Sequence, residues 1–467
     1  MVFSTFSNII AGELRSSDKF HQAVNPSTNK PLPAVPLATA QDLEDAVLAA
    51  RKAFPGWSGT AWENRGELIA KAVTVLRQNK DSMVKLLIAE GGKPVPRQAP
   101  LELRIVEDSD DIQVTLRYVP IGVVGGILPW NMPLVLGANK IGAALITGNC
   151  IILKPSPYTP YSVTKFTELV RSIFPAGVIQ SLNGDDSMGP AMCKHPGIGK
   201  ISFTGSTATG KKIMSSASTT LKRVTLELGG NSASIICPDV DVKLVAPQLA
   251  LGSFFNAGQL CVASKRIFVH KDIYKEFMHE FTEHVKGWKT GPMSSTNADA
   301  SVTMGPVQNA MQYDIVNKIF RDSQERGHKF ALGGHIGEGQ GLVIPPTIVD
   351  NPPDNSMVVE MEAFGPIVPV LSWSEEDEVI SRVNNTDTGL GGAVWSNDLA
   401  RATRLAARIE AGTVWINGWE RPLHEAYFSG HKQSGIGGEG GREGLLPYCN
   451  AQCFHHYKAF IGVKSEI

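Results

Sequence analysis

Two runs in the sequence place reactive groups at spacings that suggest a definite chemistry. The first, Gly205-Ser-Thr-Ala-Thr-Gly210-Lys211-Lys212, nearly spells the phosphate loop G-x4-G-K-[ST] and lies between a strand-like and a helix-like segment. That loop needs a magnesium-binding hydroxyl directly after the lysine, and Lys212 supplies an ammonium, which disfavours a nucleoside triphosphatase. A glycine-rich helix start that packs on a strand and faces a pyrophosphate is compatible with the run, and dinucleotide binding fits it better, although the spacing is not G-x-G-x-x-G. The second run holds Cys449, Cys453, His455 and His456 within eight residues. It lacks the intervening loop that lets two ligand pairs converge tetrahedrally, and strand alternation would scatter the four side chains, so no metal is expected. Four further blocks each hold a reactive side chain: PWNMPL at 129–134, LELGG at 226–230, GQLC at 258–261 and EAFGP at 362–366. A carboxamide, two carboxylates and a thiol are the tools of nucleophilic catalysis, but their spacing along the chain says nothing of their geometry.

Elements must therefore bring them together, and the composition bounds which elements are available. A chain of 467 residues has room for about three domains and a large core. Lys and Arg total 44 against 45 Asp and Glu, so no strong field is available to hold nucleic acid or an anionic membrane. Six irregularly spaced cysteines suggest reduced thiols in a cytoplasmic protein, one of which could be chemical. A hydrophobic fraction of 42% with 46 Gly and 29 Pro fits a folded α/β enzyme. The start of the chain does not resemble a secretory signal, and the most apolar region, 121–153, is interrupted by Pro129, Asn131, Pro133, Asn139 and Lys140, too often for a membrane span.

Thr39 and Asp42 form a capping-box start before an amphipathic helix containing Leu43, Val47, Ala50 and Phe54, and further helices are predicted over 62–78 and 81–90. The first 95 residues thus read as mainly helical. From Ile121 short apolar runs at 121–128, 150–153, 178–182, 200–203 and 223–228 alternate with helix-length segments, the pattern of parallel strands buried on both faces. A doubly wound sheet follows, with its ligands beyond the carboxyl ends of the strands. A second alternation, with strands at 232–237, 266–270 and 367–373 and helices near 241–257 and 272–287, predicts a second α/β domain. The segment 448–460 reads as an edge strand in search of a partner.

The four blocks, together with ILKPS at 152–156, SFTGSTATG at 202–210, NNTDTGLGGAVWS at 384–396, GTVWING at 412–418 and FSGHKQSGIG at 428–437, resemble the aldehyde dehydrogenase superfamily through almost the whole chain. The resemblance implies a Rossmann-like cofactor domain over 1–108 and 121–227, an α/β catalytic domain over 228–440, and a small β oligomerisation or bridging element of 109–120 and 441–467 in a homodimer or homotetramer. It implies oxidation of an aldehyde to a carboxylic acid. Cys261 matches the nucleophile that forms a thiohemiacetal, and Asn131 matches the side chain that, with the Cys261 backbone N–H, holds the oxyanion. Glu227 matches the general base that discharges the thioester to water, which disfavours the coenzyme A-acylating reaction. Lys140 matches a supporting lysine. For the cofactor, Lys154 would reach the adenosine ribose and Gly205 and Ser206 the pyrophosphate, while Glu362 would hold the nicotinamide ribose with Phe364 beside that ring. Pro129, Trp130, Ser156, Gly210 and Leu228 complete the implied cofactor set. Met132, Asn139, Leu260, Val262, Trp419 and Phe428 are the implied substrate pocket.

Three departures qualify the match. Pro157 stands where many NAD-preferring relatives carry the Glu that binds the adenosine 2′-hydroxyl, which leaves NAD or NADP open with NAD favoured. Met132 and Asn139 replace a common Phe and Trp, widening and wetting the tunnel wall, and Trp419, Glu420 and Arg421 belong to its expected mouth. A larger or polar aldehyde, carrying a carboxylate or an aromatic group, is the resulting expectation. Only 25 residues separate Pro94 from Pro120, where relatives usually fit a long helix before the crossing strands. Loss of that helix makes a non-catalytic binding protein the rival from another class, and the intact Cys261, Glu227 and Asn131 argue against it.

Overall fold

A computed structural model describes residues 3–90, 101, 103–292, 301–337, 341–418, 423 and 425–458. Five parallel strands occupy the centre of an eight-stranded sheet, in the spatial order Ile179–Ser181, Cys150–Lys154, Val123–Ile127, Lys200–Thr204, Arg223–Glu227. Numbered by sequence this is 3-2-1-4-5, the doubly wound order, and its direction reverses between Val123–Ile127 and Lys200–Thr204. The apolar runs explain the burial: each residue of Val123–Ile127 and Cys150–Lys154 is buried, because helices cover both faces. The crevice at the reversal opens beside the residues that follow those strands, Pro129 to Asn131 and Gly205.

Three helices precede this sheet: α1 (Ala40–Ser58), α2 (Trp62–Gln78) and α3 (Lys80–Glu90). The Thr39 hydroxyl accepts from the Asp42 N–H (3.1 Å) and the Asp42 carboxylate accepts from the Thr39 N–H (2.7 Å), closing the expected capping box. The N-terminal stretch is less helical than its composition suggested. Residues 8–10, 13–15, 20–21 and 35–36 are short strands, and the first two extend the large sheet by antiparallel pairing. Helix α4 (Pro133–Ile146) follows the first parallel strand; it opens on Pro133, whose missing N–H costs nothing in the first turn, and its apolar faces are buried in the interior.

A seven-stranded sheet holds six parallel strands, with Arg266–His270 and Ala233–Ile236 in its middle and the antiparallel Lys329–Leu332 at one edge. Apolar clusters pack on both of its faces. A separate antiparallel sheet joins Cys449–Tyr457 to Ile112–Pro120 over nine register pairs, and Arg104–Asp108 lies on the other side. The C-terminal edge strand thus finds a partner within its own chain. Arg104–Asp108, expected with the cofactor layer, pairs here instead, and Gly435–Ile436 crosses from the expected catalytic range to pair with Arg223–Glu227. Residues 91–100 and 102, where the shortened segment begins, lie outside the described residues. Among the described residues no helix is long and apolar enough to cross a membrane.

Candidate active site

Cys261 reaches the crevice through a tight reversal. After helix Val242–Phe254, Asn256 and Ala257 adopt left-handed backbone at φ 52° and 56°, and Gly258 follows at +71°. A β-carbon on Gly258 would strike the Gly365 carbonyl, so glycine is required there by both conformation and space. The two glycines of LELGG have a similar explanation. A side chain on Gly229 would strike the Glu362 carboxylate, and one on Gly230 would come within 2.6 Å of the Cys261 carbonyl oxygen. Three blocks far apart in sequence therefore meet where backbone can lie against backbone.

Around the half-buried Cys261 the partners are specific. Burial pushes its thiol up to about 12; Lys265 opposes that rise, and the Glu362 and Glu227 charges add to it. Lys265 donates to the carbonyls of Leu260 and Cys261 (3.3 Å for the latter) and pairs with Glu362 at 3.3 Å. Asn131 is buried at the foot of α4, and its Nδ2 donates to the Gln259 carbonyl at 2.9 Å. One amide N–H is used by that bond, which ties Asn131 to the Cys261 loop and leaves the second for an oxyanion.

Glu227 ends strand Arg223–Glu227 with its carboxylate buried and neither oxygen hydrogen-bonded among the described residues. Burial raises its pKa well above the ordinary value, the Glu439 charge raises it further, and Lys140 works the other way. Lys140, fully buried on α4, donates to the Thr204 hydroxyl at 2.8 Å and forms an ion pair with Glu439. Thr204 is the register partner of Glu227, so this pair borders the Glu227 carboxylate. Lys140 accordingly acts on Glu227 by its charge.

The remaining expected groups line the switch-point crevice. Lys154 ends the second strand and Ser156 follows it, both buried; burial lowers the Lys154 pKa, and Asp186 and Asp185 offset this. Gly205 leads into helix Thr207–Ala217, capped by the Ser206 hydroxyl, which accepts from the Thr209 N–H (3.3 Å). Gly210 lies under Leu228, whose Cδ2 is 2.6 Å from where a β-carbon would be. Glu362 is half-buried, accepts from the Gly230 N–H at 3.2 Å, and burial raises its pKa. Phe364, at φ 45°, meets Trp130 edge to face at 5.3 Å, with Pro129 next in the chain. Open helix-start amides, a glycine floor and a carboxylate held by a backbone N–H and a lysine fit a dinucleotide with its pyrophosphate at one end and a ribose at the other.

Of the expected pocket residues, Met132, Asn139, Leu260 and Phe428 are half-buried. Met132 caps the start of α4, and Phe428 is the register partner of Glu439. Val262 is buried, its Cγ1 3.3 Å from the β-carbon position of Gly391, which places it in the packing of the seven-stranded sheet. Trp419, Glu420 and Arg421 lie outside the described residues. Cys449, Cys453, His455 and His456 belong to the three-stranded sheet. The sequence reading missed Glu439, Lys265 and Gln259. Lys265, four residues after Cys261, offered a local signal; Glu439 offered only a charge among glycines.

A family model described as "Aldehyde dehydrogenase family" matches residues 14–454. The Gibberella moniliformis protein FUS7 is 42% identical, covering 98% of this chain and 100% of its own. The aldehyde dehydrogenase LUC3 of a Fusarium species is 40% identical over 98% of this chain and all of its own length. The NAD+ complex of a Bacillus cereus aldehyde dehydrogenase superposes with a TM-score of 0.90 at 32% identity, covering 97% of this chain and 97% of that one.

Proposed function

The chain belongs to the aldehyde dehydrogenase family and is an oxidoreductase acting on aldehydes with a nicotinamide cofactor, and we propose that it produces the free acid through Cys261. The Cys261 thiol gives up its proton to water as its sulfur adds to the aldehyde carbon, and the resulting oxyanion takes hydrogen bonds from the Asn131 amide and the Cys261 N–H. A bound nicotinamide supplies the hydride acceptor. Glu362 and Lys265 orient its ribose, Gly205 and Ser206 border its pyrophosphate, and Lys154 reaches the adenosine end. Glu227 then takes a proton from water as that water attacks the thioester, releasing acid and thiol. The observation that carries this reading is the convergence of Cys261, Asn131, Glu227 and Glu362 on one crevice, held by backbone contacts at Gly229, Gly230 and Gly258.

We assign the eight-stranded sheet to the cofactor and the seven-stranded sheet to catalysis, and read the three-stranded sheet as the oligomerisation element of a homodimer or homotetramer. NAD is the favoured cofactor, because Asp185 and Asp186 lie close enough to Lys154 to act on its charge and would repel a 2′-phosphate. Six free thiols, four of them buried, suit the reducing cytoplasm. The half-buried Met132 and Asn139 suit a large aldehyde.

The test follows nicotinamide reduction by the native chain, Cys261→Ala and Glu227→Gln with an aldehyde panel and each cofactor. Cys261→Ala gives no signal, and Glu227→Gln gives at most a single-turnover burst, with an acylated Cys261 detectable by mass. Full sustained turnover by either variant removes that residue from its role. A silent native chain that still binds NAD supports the non-catalytic alternative.

A further inference from the structure

A groove of about 570 Å3 runs between α2 and α4, and two features of it point to a ligand. The first is a pair of glycines inside helices. Gly66 on α2 and Gly142 on α4 line the groove, and glycine weakens a helix interior relative to alanine. Neither has positive φ, and neither serves close packing. Among the described residues, a β-carbon on Gly142 would meet nothing within 4 Å, and one on Gly66 only the Ile146 Cδ1 at 3.9 Å. What both positions exclude is a side chain in the groove.

The second feature is continuity with the active site. Asn139, Gly142, Ala143 and Ile146 share one face of α4, the helix that starts beside the oxyanion residue Asn131. Asn139 is both an expected wall of the aldehyde pocket and part of the groove, and Glu439, whose partner Lys140 borders Glu227, lines its inner end. Arg65 donates to the Ile146 carbonyl (2.9 Å), so α2 begins where α4 ends and the outer end lies near Trp62. Measured along α4, Asn139 is about 12 Å beyond Asn131 and Gly142 about 16 Å. A substrate tail must therefore span about 16 Å to pass Gly142. The lining is largely apolar, with Ile69, Val73, Ala143 and Ile146, and its charged side chains, Glu63, Glu67, Arg77 and Glu439, are of both signs. An apolar lining of this kind accepts a hydrocarbon tail.

We propose that this groove binds the distal part of a long, apolar, uncharged aldehyde whose reactive end lies at Cys261. The proposal rests on Cys261 as the nucleophile and narrows the large-aldehyde expectation to one with an apolar tail. The test compares hexanal with tetradecanal as substrates of the full chain, and measures tetradecanoate binding by calorimetry. In Gly142→Phe, kcat/KM for tetradecanal falls at least tenfold and tetradecanoate binding weakens at least tenfold, while hexanal stays within twofold; Gly142→Ala leaves all three within twofold. Gly66→Leu, on the facing helix, gives the same selective loss and decides the matter if the phenylalanine variant does not fold. Equal losses for both aldehydes, no loss for either, or a native chain that oxidises hexanal without binding tetradecanoate overturns the groove assignment. A native chain that oxidises no aldehyde but loses tetradecanoate binding on Gly142→Phe overturns the catalytic reading and keeps the groove.

Discussion

Replacing Glu439 with glutamine should move the pH dependence of thioester discharge downward. Glu227 works as a base only when ionised, so the acid limb of the discharge rate reports its pKa. That pKa is raised first by burial and next by the Glu439 charge. Lys140 bonds Thr204, the register partner of Glu227 on the adjacent strand, and Glu439 lies on the other side of the Lys140 ammonium. The two carboxylates thus flank one ammonium beside neighbouring strands. For scale, a unit charge roughly 8 Å away in an effective dielectric of about 20 is worth about 2 kcal/mol. Glu439→Gln should therefore lower the acid limb by more than about 0.3 pH unit, measured by single-turnover decay of the acyl-enzyme across pH. Lys140→Met removes the charge that opposes the rise and should raise the limb. Both variants leave a buried partner unmatched, at roughly 3–5 kcal/mol of stability, so rates are compared well below the unfolding temperature. An upward move in Glu439→Gln, or a limb that stays within about 0.3 pH unit in both variants, refutes the electrostatic coupling.

Three further outcomes concern stability. Because the Glu227 pKa is raised in the folded chain, its cost is absent below the unfolded carboxylate value and grows as pH rises toward the folded one; urea midpoints should show Glu227→Gln gaining on the native chain as pH rises above the unfolded carboxylate value, by about 1.4 kcal/mol for each pH unit that separates the folded and unfolded pKa values. Lys200 is fully buried, and burial, assisted by the Lys140 charge, lowers its pKa to about 7, so its cost is absent above the unfolded lysine value and complete below neutrality. Lys200→Met should therefore stabilise the chain by at least about 1 kcal/mol at pH 7 and by nothing near pH 11, read from denaturant melts. Thr39→Ala removes the capping hydroxyl of α1 and should cost about 1 kcal/mol in the same melts while leaving kcat/KM unchanged.

Much of this structure could be read in the chain because its strands are buried on both faces. Val123–Ile127, Cys150–Lys154 and Ile367–Trp373 advertise themselves as largely apolar runs, and α2 falls on the predicted residues 62–78. The short strands before α1 gave no such signal: Glu13–Arg15 is a largely exposed edge and lacks the apolar run. Arg104–Asp108 is exposed along its whole length and is a strand because Ile112–Pro120 supplies hydrogen bonds. At the site, the reactive side chains were legible as blocks, whereas their electrostatic partners were not. Glu439 acts on a lysine 299 residues away, a pairing that only the folded sheet creates. The reason for two glycines after Glu227 became visible only when Glu362 and the Cys261 backbone were found against them.

The late position of Glu439 has a consequence for biosynthesis. During translation Lys140 emerges hundreds of residues before its counter-charge, and the strand Gly435–Ile436 that borders Glu227 is likewise made near the end. The cofactor layer cannot close on its buried ammonium until almost the whole polypeptide has left the ribosome. A chain cut short before residue 435 holds Cys261 and Glu227 yet lacks the charge balance around them, so the end of the protein acts as a completeness check on the rest.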